Sequence, residues 1–267
     1  MAEDPAAVQA CYAADGFYLV REPIFSADLV ARAVAGMDAV RRGESDTGHA
    51  PLGGFWQPGD DESKLCKMEQ PQLSNRALRE LVGSPALGEW AARVTGARGV
   101  QAWWVQLLYK PPVTGAADQV NAIGWHQDRY YWRCWEEGSG LFTAWVALSD
   151  VDADCGPMRF VAGSQTWGLR PEGDFYAQDL AAQRAAMGLP AGGEWREVEA
   201  VLPAGGVSFH DNLTVHGSLP NTSSRPRRSL AIHCRTERSR AVGDKREGLT
   251  AYIDDLDVCP VIYGKMT

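Results

Sequence analysis

The chain has 267 residues, 45% of them hydrophobic, enough for one substantial core and a single domain over 1–267. Its net charge is -8 and it carries no basic run, which argues against a nucleic-acid partner. No apolar stretch approaches the ~20 residues that span a bilayer, and no apolar run follows the acidic start Met1-Ala2-Glu3-Asp4-Pro5 to act as a secretory signal.

Residues 1–98 predict a mainly helical N-terminal part. Ser26 is the expected N-cap of a helix whose apolar residues Leu29, Val30, Ala33, Val34, Met37 and Val40 recur at helical spacing. The stretch 49–62, rich in Gly, Pro and Asp, reads as a loop. A helix pair over about 74–95 is broken at Ser84-Pro85, where proline suits a first helical turn, and Gly96 suits its end. The core, 99–240, is rich in strand formers: 100–109, 141–148, 158–162, 196–202, 207–210 and 229–236. Gly156-Pro157 and Gly205-Gly206 mark turns. One helix, 177–187, interrupts this run and stops at Gly188, and 241–267 reads as a C-terminal extension. Many short strands with turn punctuation predict a β-sandwich or jelly roll. Six scattered cysteines form no Cys-x-x-Cys pair, so they read as reduced cytoplasmic thiols, each a small buried hydrophobe, and not as zinc ligands.

Trp125-His126-Gln127-Asp128 is the most informative segment. Residues two apart on an extended segment point the same way, so His126 and Asp128 share a face. Read with His216, ninety residues later, they form a set of two imidazoles and one carboxylate. Such a set, with the opposite positions open, suits non-haem Fe(II) oxygenases. His210 and His233 are rival third ligands; both read better as hydrogen-bonding residues.

Further motifs surround this one. Tyr12-Ala13-Ala14-Asp15-Gly16-Phe17 comes first, then Tyr109-Lys110-Pro111-Pro112, Gly124 to Asp128, and Trp145 to Asp150. Gly156-Pro157-Met158, Gly163-Ser164-Gln165, His216-Gly217-Ser218-Leu219-Pro220-Asn221 and Arg225-Pro226-Arg227-Arg228 follow in order. Together they resemble the phytanoyl-CoA hydroxylase-like family of Fe(II)/2-oxoglutarate dioxygenases along nearly the whole chain. The resemblance implies a mainly β, cupin-like double-stranded β-helix with the N-terminal helices packed on one sheet. It implies Fe(II), 2-oxoglutarate and O2, with His126, Asp128 and His216 as iron ligands. It places Arg227 and Ser218 on the far carboxylate of 2-oxoglutarate, where arginine binds bidentately. Arg228 is expected on the opposite strand face, and Arg225 on a solvated turn. Gln106, Tyr109, Gln127 and Trp145 match positions that line the co-substrate pocket in relatives; Trp145 reads equally well as core. Gln165 stands where relatives often carry a histidine that is not an iron ligand.

The run 129–135 holds four aromatics and two arginines. Arg129, Tyr131, Trp132 and Trp135 are candidate substrate contacts, aromatic faces for a ring-shaped substrate and arginines for an anion. A packed structural loop is the competing reading. The implied reaction hydroxylates an unactivated C–H bond of a small molecule, such as a secondary metabolite, and releases succinate and CO2. Desaturation, epimerisation and ring closure use the same machinery. A metal-binding cupin-like protein without oxygenase activity is the alternative; it has no need of an arginine–serine cradle. A halogenase of this type would replace Asp128 with a small residue. The lack of an extended basic patch favours a compact substrate over a phosphate-rich CoA ester. The 49–62 loop and the 177–187 helix are the expected covers. No signature of a particular oligomeric state is present.

Overall fold

Ser26 caps the first long helix as its sequence requires: its Oγ accepts from the Leu29 amide at 3.2 Å. A computed structural model describes residues 4–54, 56–113 and 121–266 of the chain; Phe55, within the expected loop, lies outside them. The N-terminal part runs α1 (Pro5–Asp15), β1 (Phe17–Val20), α2 (Ala27–Arg41), β2 (Cys66–Glu69), α3 (Arg76–Val82) and α4 (Pro85–Thr95). Then come β3 (Gly99–Lys110), β4 (Ile123–His126), β5 (Leu141–Ala147), β6 (Met158–Val161) and α5 (Leu180–Met187). The chain continues through β7 (Glu197–Glu199), β8 (Val207–Asp211), β9 (His216–Ser218), β10 (Arg227–Thr236) and β11 (Val261–Gly264).

The strands form two antiparallel sheets. The larger has the order β1-β8-β5-β10-β3-β11, with β2 also paired to β3; the smaller has the order β4-β9-β6-β7. This is a jelly roll. The larger sheet is covered on both faces, which is why β5 is buried at every position. Its residues Phe142, Ala144 and Val146 face a core shared with Leu29, Met37, Leu78 and Leu87 of the N-terminal helices. Trp145 and Ala147 face the space between the sheets, against Met158 and Phe160 of β6. The N-terminal helices therefore pack on one sheet, and the site lies on that sheet's other face.

Parity is broken once in β3. His233 pairs with Trp104 and Cys234 with Ala102, which leaves Trp103 as the extra residue of a bulge. Both tryptophans can then turn toward the inner space, a device that re-aims side chains next to a site.

Several boundaries differ from expectation. Three strands lie outside 99–240: β1 pairs with β8, β2 with β3, and β11 with β3. Each has four residues, too few to stand out from helical or irregular surroundings. Helix α5 begins at Leu180, where Asp179 caps it, and β7 spans only Glu197–Glu199. Asn75 caps α3, accepting from the amides of Ala77 and Leu78. Four cysteines are buried, but Cys11 is exposed and Cys134 half-buried. No helix among the described residues is long and apolar enough to cross a membrane.

Candidate metal and co-substrate site

Strand β4 ends on His126, β9 begins on His216, and the two residues pair directly across the smaller sheet. Their ring centroids are 4.1 Å apart. Strands β4 and β9 approach closely at Gly217, where a Cβ would meet the Ile123 carbonyl oxygen at 2.8 Å; Gly124 instead admits the segment before α5, since a Cβ there would meet the Asp174 carbonyl oxygen at 2.1 Å. Gln127 remains extended, so Asp128, which opens a short 3-10 turn, projects to the same side as His126.

The three donor groups converge. Their ligand atoms all lie within 4.8 Å of one another, and all three residues are buried. Asp128 Oδ1 is 3.8 Å from His126 Nε2 and 3.7 Å from His216 Nε2. Each histidine spends Nδ1 on a backbone carbonyl: His126 on Gly124 at 2.8 Å, His216 on Thr214 at 2.9 Å. That fixes the tautomer and leaves Nε2 as the free lone pair, as metal-ligating histidines require. Burial holds both imidazoles below their usual pKa, hence neutral. Burial works to raise the Asp128 pKa, but His216, His210 and His233 around it outweigh this and hold the carboxyl well below its ordinary range. A neutral N2 set plus one carboxylate is the donor chemistry of a non-haem Fe(II) centre.

The rival histidines support the carboxylate. Thr143 donates to Asp128 Oδ2 at 2.7 Å, and its hydroxyl lies 2.9 Å from His233 Nδ1. Burial pushes His233 down to about 4. His210 Nε2 lies 3.4 Å from the same Oδ2, although neither of its ring nitrogens has an aligned hydrogen bond. Oδ2 is thus held from behind while Oδ1 faces the imidazoles.

One cavity of about 320 Å³ adjoins the triad. Arg227, 1% exposed, lines it, with its Cζ 5.2 Å from the Trp145 ring centroid. One guanidinium nitrogen donates to the Gly156 carbonyl; Nε is buried without a partner. Beside it is Lys110, completely buried, whose Nζ donates to Ser218 Oγ and the Leu219 carbonyl, each at 2.6 Å. Neither cation has an acidic partner among the described residues. Burial lowers the Arg227 pKa to about 10, and burial and Arg227 together depress that of Lys110. Two buried cations and an orphaned donor fit a carboxylate ligand, which would neutralise them. Arg228 points the other way, to Asp38 at 3.0 Å, as its parity requires.

Other expected pocket residues separate. Gln106 and Trp145 line the cavity. Tyr109 does not: three residues from Gln106 on an unbroken stretch of strand, it faces the helices, with Arg41 Cζ 3.5 Å from its ring centroid. Gln127 is also outside, because a residue between two ligands on an extended segment points away from both. Its amide holds the Gly168 and Leu213 carbonyls and the Arg170 amide. Ser218 is engaged by Lys110 and is not part of the cavity wall. Gln165 ties to the end of α1 through the Ala13 carbonyl at 2.9 Å.

The aromatic loop divides likewise. Tyr131 and Trp132 line the cavity. Arg129 is used within the loop, donating to the Trp132 carbonyl at 2.5 Å and that of Trp135 at 2.9 Å. Trp135 is fully buried in a cluster with Trp103 and Leu141. Trp135→Ala is therefore expected to lower unfolding stability by about 3–5 kcal/mol, checked by chemical denaturation. Trp132→Ala should instead lower the ratio of product to succinate. Phe175 and Tyr176, just before α5, line the cavity, as do two β2 residues that sequence reasoning missed, Lys67 and Glu69; no described residue of 49–62 or of 177–187 does.

No curated protein matches the sequence. Among solved structures, the non-haem alpha ketoglutarate dependent carbocyclase SnoK from nogalamycin biosynthesis is 25% identical, with a TM-score of 0.67 over 90% of this chain and 86% of that one. The epimerase SnoN, in complex with Fe3+, alpha ketoglutarate and nogalamycin RO, is 24% identical, with a TM-score of 0.68 over 95% and 91%. EvdO2 from Micromonospora carbonacea var. aurantiaca, complexed with 2-oxoglutarate, is 18% identical, with a TM-score of 0.62 over 93% and 96%. The family model described as phytanoyl-CoA dioxygenase (PhyH) matches residues 12–229, well over half of the sequence. The chain belongs to the phytanoyl-CoA dioxygenase family of non-haem iron- and 2-oxoglutarate-dependent enzymes.

Proposed function

We propose that the chain hydroxylates an unactivated C–H bond of a small molecule, with His126, Asp128 and His216 holding Fe(II) and Arg227 holding 2-oxoglutarate. The observation that carries this reading is one cavity shared by a neutral two-histidine, one-carboxylate set and a buried arginine that has no acidic partner among the described residues. A metal-binding protein that is not an oxygenase has no use for that second feature.

Bound iron would supply oxidising power from O2, coupled to decarboxylation of 2-oxoglutarate to succinate. The residues of the chain do the rest. The two Nε2 atoms and Asp128 Oδ1 offer one triangular face and leave the opposite side to ligands. Thr143 keeps Oδ2 occupied. Arg227 fixes the far carboxylate, with Lys110 beside it and Trp145 closing the wall. Trp104, Tyr131, Trp132 and Phe175 exclude water on the substrate side. The carbocyclase and epimerase relatives show that one fold serves several outcomes. Substrate placement decides among them. The free cysteines suit a reducing cytoplasm.

The test is turnover with Fe(II), 2-oxoglutarate, O2 and a panel of small molecules. Substrate-stimulated succinate with a product one oxygen atom heavier supports hydroxylation. Stimulated succinate with a product of unchanged oxygen content would assign another oxidative outcome.

A further inference from the structure

The substrate side of the cavity has a polar group that the iron and co-substrate leave unused. Glu69 ends β2, and its register partner is Gln106. Its carboxylate lies in the cavity wall, with the side chain 19% exposed. The Trp104 indole donates to Oε2 at 2.6 Å and the Gln106 amide to Oε1 at 3.4 Å. Each carboxylate oxygen has two lone pairs, so each can accept again. Lys67 Nζ is 3.6 Å from Oε1 and lies 4.8 Å from the Phe175 ring centroid.

The surroundings define the complement. Trp103, Trp104, Tyr131, Trp132, Phe175 and Tyr176 line the same chamber. Flat aromatic walls favour a ring face over a flexible chain. Its volume, about 320 Å³, is at the small end of the roughly 300–1,000 Å³ usual for ligand pockets. Charge narrows the choice. Lys67 and Glu69 balance one another, and the remaining charges lining the chamber among the described residues, Asp128 and Arg227, are assigned to the metal and co-substrate. A phosphate-bearing substrate therefore finds no unpaired cation on this side. A ligand ammonium at Glu69 would sit against the ammonium of Lys67. A neutral hydroxyl suffers neither penalty.

Resting on the oxygenase reading of this cavity, we infer that the substrate is a compact, uncharged, hydroxylated ring compound whose O–H donates to Glu69. Trp104 and Gln106 are the positioning residues that hold the carboxylate. A site built around a fixed acceptor rejects an analogue lacking the donor more strongly than an apolar pocket rejects a missing methylene.

The experiment is calorimetric titration of the Fe(II)- and 2-oxoglutarate-loaded protein, without O2, with four probes sharing one ring system. They are 2-naphthol, its methyl ether, naphthylmethylammonium and naphthyl phosphate. Naphthol is expected to bind at least tenfold tighter than the other three. Glu69→Ala should remove the preference for naphthol over the ether; Glu69→Gln serves if the alanine variant does not fold. Equal affinity for naphthol and ether, tighter binding of the phosphate or ammonium, an unchanged preference in both Glu69 variants, or no binding by any probe would each overturn the inference. The charge-transfer band of the loaded protein separates the two readings. A band without naphthol preference refutes this inference alone. Naphthol preference without a band refutes the oxygenase reading.

Discussion

His216→Ala is expected to lose stoichiometric Fe(II) binding and all 2-oxoglutarate turnover, while His233→Ala keeps its metal. Both histidines are buried and both line the cavity, so burial does not distinguish them. Orientation does. His216 commits Nδ1 to Thr214 and turns Nε2 toward Asp128 Oδ1, the atom that His126 Nε2 also faces. His233 contacts the hydroxyl of Thr143, one bond removed from the carboxylate. Removing a ligand from a three-residue set leaves two donors, whereas losing an outer partner costs roughly 10–100-fold in metal affinity. Iron content after loading and equilibrium metal titration check both variants. An unchanged Fe(II) affinity in His216→Ala would refute the assignment.

Arg227→Ala should weaken 2-oxoglutarate by about 100-fold, or ~3 kcal/mol, since truncating one partner of a buried charge pair typically costs 2–5 kcal/mol. Lys110 remains in that variant as a second cation, so residual affinity is expected. Arg227→Lys should rescue in part, offering a point charge in place of a fork. Arg228→Ala should have little effect on the co-substrate, because its guanidinium faces Asp38 on the other side of the sheet. The measurement is 2-oxoglutarate affinity in all three variants. A large loss at Arg228 with none at Arg227 would contradict the register of β10.

What was legible in the sequence was local. The His-x-Asp spacing needs only an extended backbone, and helix α2 needs only its cap and apolar spacing. The partner of that motif is a long-range fact: β9 lies beside β4 through sheet pairing, and nothing in either segment alone encodes it. Reading pocket residues from family positions failed where parity was ignored. Gln106 and Tyr109 are three apart, and β3 is regular between them, so one of the two must face away. Gln127 fails by the same rule. The parity that excludes Tyr109 includes Lys110, which could have been found by stepping from Gln106 through Leu108. Lys67 and Glu69 had a fainter signal, a four-residue alternation in Cys66-Lys67-Met68-Glu69 that becomes a strand only because β3 offers it an edge.

The most direct test of the central claim is anaerobic addition of Fe(II) and then 2-oxoglutarate to the purified chain. The structure predicts a visible metal-to-ligand charge-transfer band that saturates at one iron and one 2-oxoglutarate per chain. It should be absent in His216→Ala and demand far more 2-oxoglutarate in Arg227→Ala. Iron binding with no band, or a band of full intensity and affinity in both variants, would contradict it.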